Sequence, residues 1–149
     1  LVRSRGLGDV YKRQVMPWAP LAGGALTGKY LKGDRGRIKD GSSRLNDRAE
    51  RITKAVLEIG DQLGVPASHV ALAWIRQQGF SCIPIVGATK LSQLDENLKS
   101  LDLVLSAEQL EKLNLVSQIE LGFPGDFFKE AGVKAVTYGG FYDQIIKPF

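Results

Sequence analysis

Two short stretches hold the residues best suited to chemistry. Residues 15–30 read VMPWAPLAGGALTGKY, and residues 82–97 read CIPIVGATKLSQLDEN. Each passes from an apolar segment into a glycine-containing turn and ends in polar groups able to grip phosphate. Glycine lets backbone approach a ligand closely, and the free N–H groups of a helix's first turn favour an anion. Gly87, followed by Thr89 at the head of a helix, has this form. Taken alone the pattern is not specific, because many strand-to-helix turns carry glycine without a ligand.

Other chemistries can be set aside by spacing. Gly23 to Lys29 matches the start of a nucleotide-binding loop, G-x-x-x-x-G-K, but Tyr30 stands where Ser or Thr should hold Mg²⁺. No helix is expected after it either, since Leu31 to Gly36 reads as loop. No G-x-G-x-x-G opens a helix after a strand; Gly6 and Gly8 make only a fragment of one. Cys82 is the single cysteine, which excludes an internal disulfide framework and fits a reducing compartment. Its apolar neighbours predict a buried, inert thiol. His69, the single histidine, falls near the start of a helix, where a surface or capping role is expected.

The elements that must position these stretches follow from periodicity. Residues 15–19 are short and apolar and precede Pro20, which predicts a buried strand. A long loop covers 20–46. Asp47–Leu63 is expected as a helix, with Ile52, Val56, Ile59 and Leu63 on one face. Gly64 stops it and Pro66 opens a second helix to about residue 78, closed by Gly79. Residues 81–86 form the second strand, with Pro84 an awkward member because it lacks a ladder donor. Residues 89–100 predict a helix carrying Leu91, Leu94, Leu98 and Leu101. Ser106 and Gln109 look like a capping box for a helix to about residue 117, with Leu105 and Leu110 placed as a staple. Residues 118–149 read as mostly loop with one short helix. The order strand, helices, strand, helices implies parallel strands in an α/β protein.

The chain has 149 residues, 44% hydrophobic and 24% charged, enough for one domain with a sizeable core. No apolar run approaches the roughly 20 residues of a membrane helix, and no secretory signal is visible. The net charge is +4. Arg3, Arg5, Lys12 and Arg13 against Asp9 supply most of it, so the body lacks a nucleic-acid footprint. Residues 1–14, LVRSRGLGDVYKRQ, begin with Leu and abut the first strand without a turn. They resemble translated sequencing-adapter read-through. The expectation is a non-native leader over 1–14, with the natural protein continuing upstream. Two parallel strands alone have bare edges and no closed core, which also predicts that the chain is part of something larger.

Residues 15–149 resemble the aldo-keto reductases. WAPLAGGALTGKY is similar to that family's seventh-strand signature, and IPIVGATKLSQLDENL to its eighth. LGFPGDF, residues 121–127, is similar to one branch of the family. The resemblance implies that 15–149 is the C-terminal fragment of a (β/α)₈ TIM barrel, about strands 7 and 8 with their helices and tail. It implies an NADP-dependent oxidoreductase reducing aldehydes or ketones by hydride transfer, with NAD possible. It also leaves a second class open, the nicotinamide-binding regulatory or channel-associated subunits of the same fold. A small-molecule carbonyl substrate and a cytoplasmic location are implied, with neither nucleic acid nor membrane as partner. Oligomeric state has no signature.

The resemblance implies roles by position. Trp18 stacks on the nicotinamide ring. Ala19 stands where the family mostly has Ser, so one hydroxyl contact is missing. Pro20, Leu21 and Gly23 wrap the pyrophosphate, Lys29 lies near the cofactor phosphates, and Arg44 is matched with a loop arginine that clamps the cofactor. Gly87, Ala88, Thr89, Gln93, Glu96 and Asn97 serve the adenosine end, and Lys90 can pair with a 2′-phosphate. The family's catalytic Asp, Tyr, Lys and His are expected upstream of Val15, so no catalytic residue and no metal site is assigned. The 149 residues alone are expected to lack reductase activity and tight cofactor binding. Phe123, Phe127, Phe128, Phe141 and Tyr142 are expected to shape the substrate mouth.

Overall fold

The computed structural model describes residues 14–39 and 41–145. The basic leader, Gln14 apart, lies outside the described residues. The chain divides into two compact units, Leu1–Ser117 and Gln118–Phe149.

The first unit is built on four helices: α1 Asp47–Leu63, α2 Ala67–Arg76, α3 Leu91–Lys99 and α4 Ala107–Val116. Asn46 caps α1 by accepting from the Ala49 amide at 2.8 Å, and Asp47 and Glu50 suit the positive end of the helix dipole. Gly64 ends α1 at φ 66°, the left-handed cap that glycine takes without penalty. The periodic face of α1 is buried at Val56 and Ile59, but Leu63 is exposed in the last turn. α2 starts after Pro66 and is buried almost all round, through Val70, Ala71, Leu72, Ala73 and Ile75. It ends at Arg76, two residues earlier than Gly79 predicts, because Gln77 takes the cap position. The capping box of α4 is present: Ser106 Oγ accepts from the Gln109 amide, and Gln109 Oε1 accepts from the Ser106 amide. Residues from α1, α2 and α4 pack with Leu105 into one core.

α3 departs from this pattern. Leu91, Leu94, Leu98 and Leu101 fall on one face as their spacing predicts, yet all four are exposed.

The two expected strands pair in parallel but form no continuous ladder. Isolated bridges join Val15 to Cys82 and Trp18 to Ile85. The Val15 amide donates to Ser81 O at 2.9 Å, Ile83 N donates to Val15 O at 2.9 Å, and Ile85 N donates to Pro17 O at 3.0 Å. In this register the missing rung is the one residue 17 should donate to Ile83 O, and Pro17 has no N–H. The interruption therefore comes from Pro17, while Pro84 lies between two pairing residues with its ring nitrogen on the unpaired side. Met16, Trp18, Ile83 and Ile85 share one face of the pair, and all are exposed. Faces of parallel sheets are normally covered.

Between the first paired segment and α1, the expected loop contains two 3₁₀ turns, Ala22–Thr27 and Lys29–Lys32. In the second unit, the expected short helix is α5, Ala131–Tyr138, flanked by 3₁₀ turns Phe127–Lys129 and Tyr142–Gln144. Phe123 packs on Phe127 at 5.8 Å between ring centroids, and Tyr138 on Tyr142 at 5.1 Å. Asp126 accepts from the Gly122 amide at 2.7 Å, which closes the turn around Pro124.

Candidate functional site

Parallel pairing decides the layout of the site. Because Trp18 is bridged to Ile85, the turn after Trp18 and the turn after Ile85 leave the pair at the same end. In open and closed α/β sheets that end is where ligands bind.

The first turn is tightly wound. Ala19 and Ala22 hold φ of 52° and 51°, and Gly23 and Gly24 hold 70° and 94°. Left-handed alanine is strained by roughly 1–2 kcal/mol, and such strain gathers at binding sites. The amides of Ala22, Gly24 and Gly28 turn inward onto Ala19, Leu21 and Ala25 carbonyls, so these three are spent on the turn itself. Tyr30 ties the loop closed: its hydroxyl accepts from the Ile38 amide at 2.9 Å and donates to Gly23 O at 3.4 Å.

Two cations are brought against this turn. A side chain at Gly23 would meet Ile38 Cγ1 at 3.1 Å and Arg44 Nη1 at 3.5 Å. A side chain at Gly24 would meet Lys29 Nζ at 2.9 Å, and Lys29 Nζ sits 4.9 Å from the centre of the Tyr30 ring. Arg44 and Lys29 thus flank Gly23 and Gly24, and the close approach of Lys29 uses the missing side chain of Gly24. Behind the turn lies an apolar cavity of about 320 Å³, bounded by Pro17 to Pro20, Leu26, Arg44, Val56 and Trp74 among others. Of the expected residues, only Trp18, Ala19, Pro20 and Arg44 reach it. Trp18 itself is 75% exposed.

The second turn, Gly87, Ala88, Thr89 and Lys90, is exposed throughout. Thr89 does not cap α3, contrary to expectation. Lys90 occupies the cap position without a side-chain bond, and Gln93 Oε1 reaches back to accept from both the Thr89 amide at 3.0 Å and the Thr89 hydroxyl at 3.1 Å. Gln93 therefore fixes the turn before the helix.

Glu96 and Asn97, adjacent in sequence, have different surroundings, since neighbours on a helix do not share a face. Asn97 lines a second cavity of about 350 Å³ with Cys82, Pro84, Leu94 and Leu98. Glu96 lies between Lys99, which donates to its Oε1, and His69, whose Nε2 is 3.4 Å from its Oε2. Lys99, chiefly through that hydrogen bond, holds the Glu96 carboxyl below the usual carboxylate range, with His69 adding to it. His69 is buried, not at the surface, and makes no hydrogen bond through Nε2. Nothing in the spacing of residues signals this contact, which depends on how α2 and α3 are brought together. Cys82 is half-buried, and burial pushes its thiol up. Among the described residues no group of three metal-ligating side chains occurs, and no helix is long and apolar enough to cross a membrane.

Two glycine-containing turns thus open at one end of a parallel pair, one of them flanked by cations. Residues 4–118 match the aldo/keto reductase family, and the chain belongs to that family. It is similar to Probable aryl-alcohol dehydrogenase AAD4 of Saccharomyces cerevisiae, 27% identical over 118 residues, covering 74% of this chain and 36% of that protein. It is also similar to a Probable voltage-gated potassium channel subunit beta of Oryza sativa, 33% identical over 121 residues, covering 74% of this chain and 37% of that protein. Uncharacterized oxidoreductase YrpG of Bacillus subtilis is 34% identical over 129 residues, covering 83% of this chain and 34% of that protein. The chain thus spans little more than a third of the length of these relatives.

Proposed function

We propose that this chain is the cofactor-holding part of an NADP-dependent oxidoreductase that reduces aldehydes or ketones, acting in the cytoplasm. The observation that carries the reading is the Trp18–Ile85 bridge, which puts both glycine turns at one end of the pair. The uncovered face of Met16, Trp18, Ile83 and Ile85 suits a strand pair whose inner side belongs to a (β/α)₈ barrel.

The residues fit a nicotinamide dinucleotide. Trp18 offers an open aromatic face for the nicotinamide ring. Pro20, Leu21 and Gly23 bring backbone to the pyrophosphate, and Lys29 and Arg44 supply charge beside it. Gly87, Ala88 and Thr89 leave room at the head of α3, and Lys90 can pair with a 2′-phosphate, favouring NADP over NAD. Gln93 holds that turn in shape, while Glu96 and Asn97 serve the adenosine end. The cofactor supplies the hydride; this chain binds and orients it. No proton-transferring residue is assigned to this chain.

The test is ligand-observed saturation-transfer NMR of NADPH with the 149-residue chain, which detects weak binding. The expected result is transfer to both nicotinamide and adenine protons, lowered at the nicotinamide by Trp18→Ala. A folded chain giving no transfer would overturn the reading.

A second reading rests on the 33% identity to the channel subunit, which stands level with the 34% to the Bacillus oxidoreductase. On it the chain holds the same cofactor within a regulatory subunit. Turnover of an aromatic aldehyde by the longer protein that carries this chain separates the two.

A further inference from the structure

The contact between α2 and α3 contains an arrangement that the cofactor reading does not use. His69 is 5% exposed. Its Nε2 is buried and has no aligned hydrogen-bond partner, yet it lies 3.4 Å from Glu96 Oε2. Buried polar groups without a partner are rare, and each one asks for a reason. Here a small turn of the Glu96 side chain would complete the bond. The other carboxylate oxygen of Glu96, Oε1, is already held by Lys99. The carboxylate is thus gripped from two sides, by a fixed ring on α2 and a flexible ammonium one turn along α3. It remains about half exposed on its outer side, with lone pairs left for a ligand.

The two grips differ in kind. Lys99 is itself largely exposed on a long side chain, so it neutralises Glu96 without fixing its direction. His69 is buried on α2 and can fix direction. We infer that His69 is a positioning residue for Glu96: it sets the angle at which α3 presents the carboxylate to an adenine-bearing ligand. This rests on the reading of Glu96 as part of the adenosine end.

The experiment is saturation-transfer NMR of NADPH with the 149-residue chain and its variants, read as the ratio of adenine to nicotinamide transfer. Reduced nicotinamide mononucleotide, which has no adenosine, is the control. His69→Leu keeps the volume apolar and removes the donor; His69→Gln restores a donor at similar reach. The expected result for His69→Leu is loss of most of the adenine share, with NADPH affinity about fivefold weaker, the size of one lost hydrogen bond. His69→Gln should recover most of it, and the mononucleotide should be unaffected. Glu96→Gln separates the role of Glu96 from that of His69. If it leaves the adenine share unchanged, the adenosine role of Glu96 fails, and the inference with it. If it lowers the share while a folded His69→Leu chain matches wild type, the inference alone fails. Equal losses at both ends of the cofactor would mean a general structural role and would also overturn it. Should His69→Leu not fold, the wild-type chain still decides. In it the His69 ring protons must show a nuclear Overhauser contact to the Glu96 side-chain methylene protons, and its absence would refute the contact.

Discussion

Gly28 lies directly under Leu57. A Cβ at Gly28 would sit 2.8 Å from Leu57 Cδ1 and 3.2 Å from its Cγ, and Gly28 holds φ of 81°. The contact fastens the turn that carries Lys29 to the outer half of α1. Gly33 offers a built-in comparison, because its φ is 78° but a Cβ there would meet nothing within 4 Å. Gly33→Ala should cost only the backbone strain, about 1–2 kcal/mol. Gly28→Ala should cost about 1–3 kcal/mol more, since the whole Leu57 side chain must move. Urea unfolding of the two variants measures the difference, and equal losses would refute the tight packing of Leu57 on Gly28.

Gln77 is the tie between the end of α2 and the segment leading to α4. Its Nε2 donates to Ala73 O and Leu103 O, each at 3.2 Å, and its Oε1 accepts from the Leu105 amide at 3.0 Å. Leu105 is part of the core. Ala73 O keeps the Gln77 backbone amide in Gln77→Ala, but Leu103 O and the Leu105 amide lose this partner in a half-buried place, so a loss of about 1–3 kcal/mol is expected. The diagnostic readout is hydrogen exchange at the Leu105 amide, which should lose protection selectively.

The capping box of α4 gives a smaller and cleaner prediction. Ser106→Ala removes the acceptor for the Gln109 amide, at 3.2 Å in the wild type, and should lower stability by about 1 kcal/mol. Ser106→Gly should cost only a few tenths. Thermal melts followed by circular dichroism distinguish the two.

That capping box is legible in the sequence because everything it needs lies within four residues. The same holds for α1, whose period and flanking Asn46 and Gly64 are local signals. Parallel pairing is also legible, from the order of elements. The broken ladder is not, because attention falls on Pro84 when each segment is read alone. Only the register shows that Pro17 owes the missing donor. Gln77 and His69 are opaque for a similar reason: their partners are 26 or more residues away, at Leu103, Leu105 and Glu96. For the candidate site, the residues of the first turn are brought together around Gly23 and Gly24. The second set is split, with Gln93 turned back to Thr89 and Glu96 turned to His69. Side chains with two possible partners reveal their choice only once the helices are packed.

The Glu96 grip carries a pH signature whose sign can be worked out. Lys99, first through its hydrogen bond and then through its charge, and His69 after it, hold the Glu96 carboxyl below its ordinary value of 4.5. A carboxyl whose folded value is depressed binds its proton more readily in the unfolded chain. Its stabilisation is therefore complete above 4.5 and is lost as pH falls through the lower folded value. Glu96 raises the Lys99 ammonium in turn, so that contribution holds below 10.5 and fades above it. Both groups are solvent-exposed, which keeps the effect modest. Glu96→Gln removes the titration altogether. The wild-type chain should be the more stable at about pH 7, and the two urea midpoints should converge as pH falls below 4.5 and the carboxylate is protonated. High salt should narrow the gap at neutral pH, because exposed charges are screened. A gap that stays constant from neutral to acid would show that Glu96 contributes through its shape and not its charge.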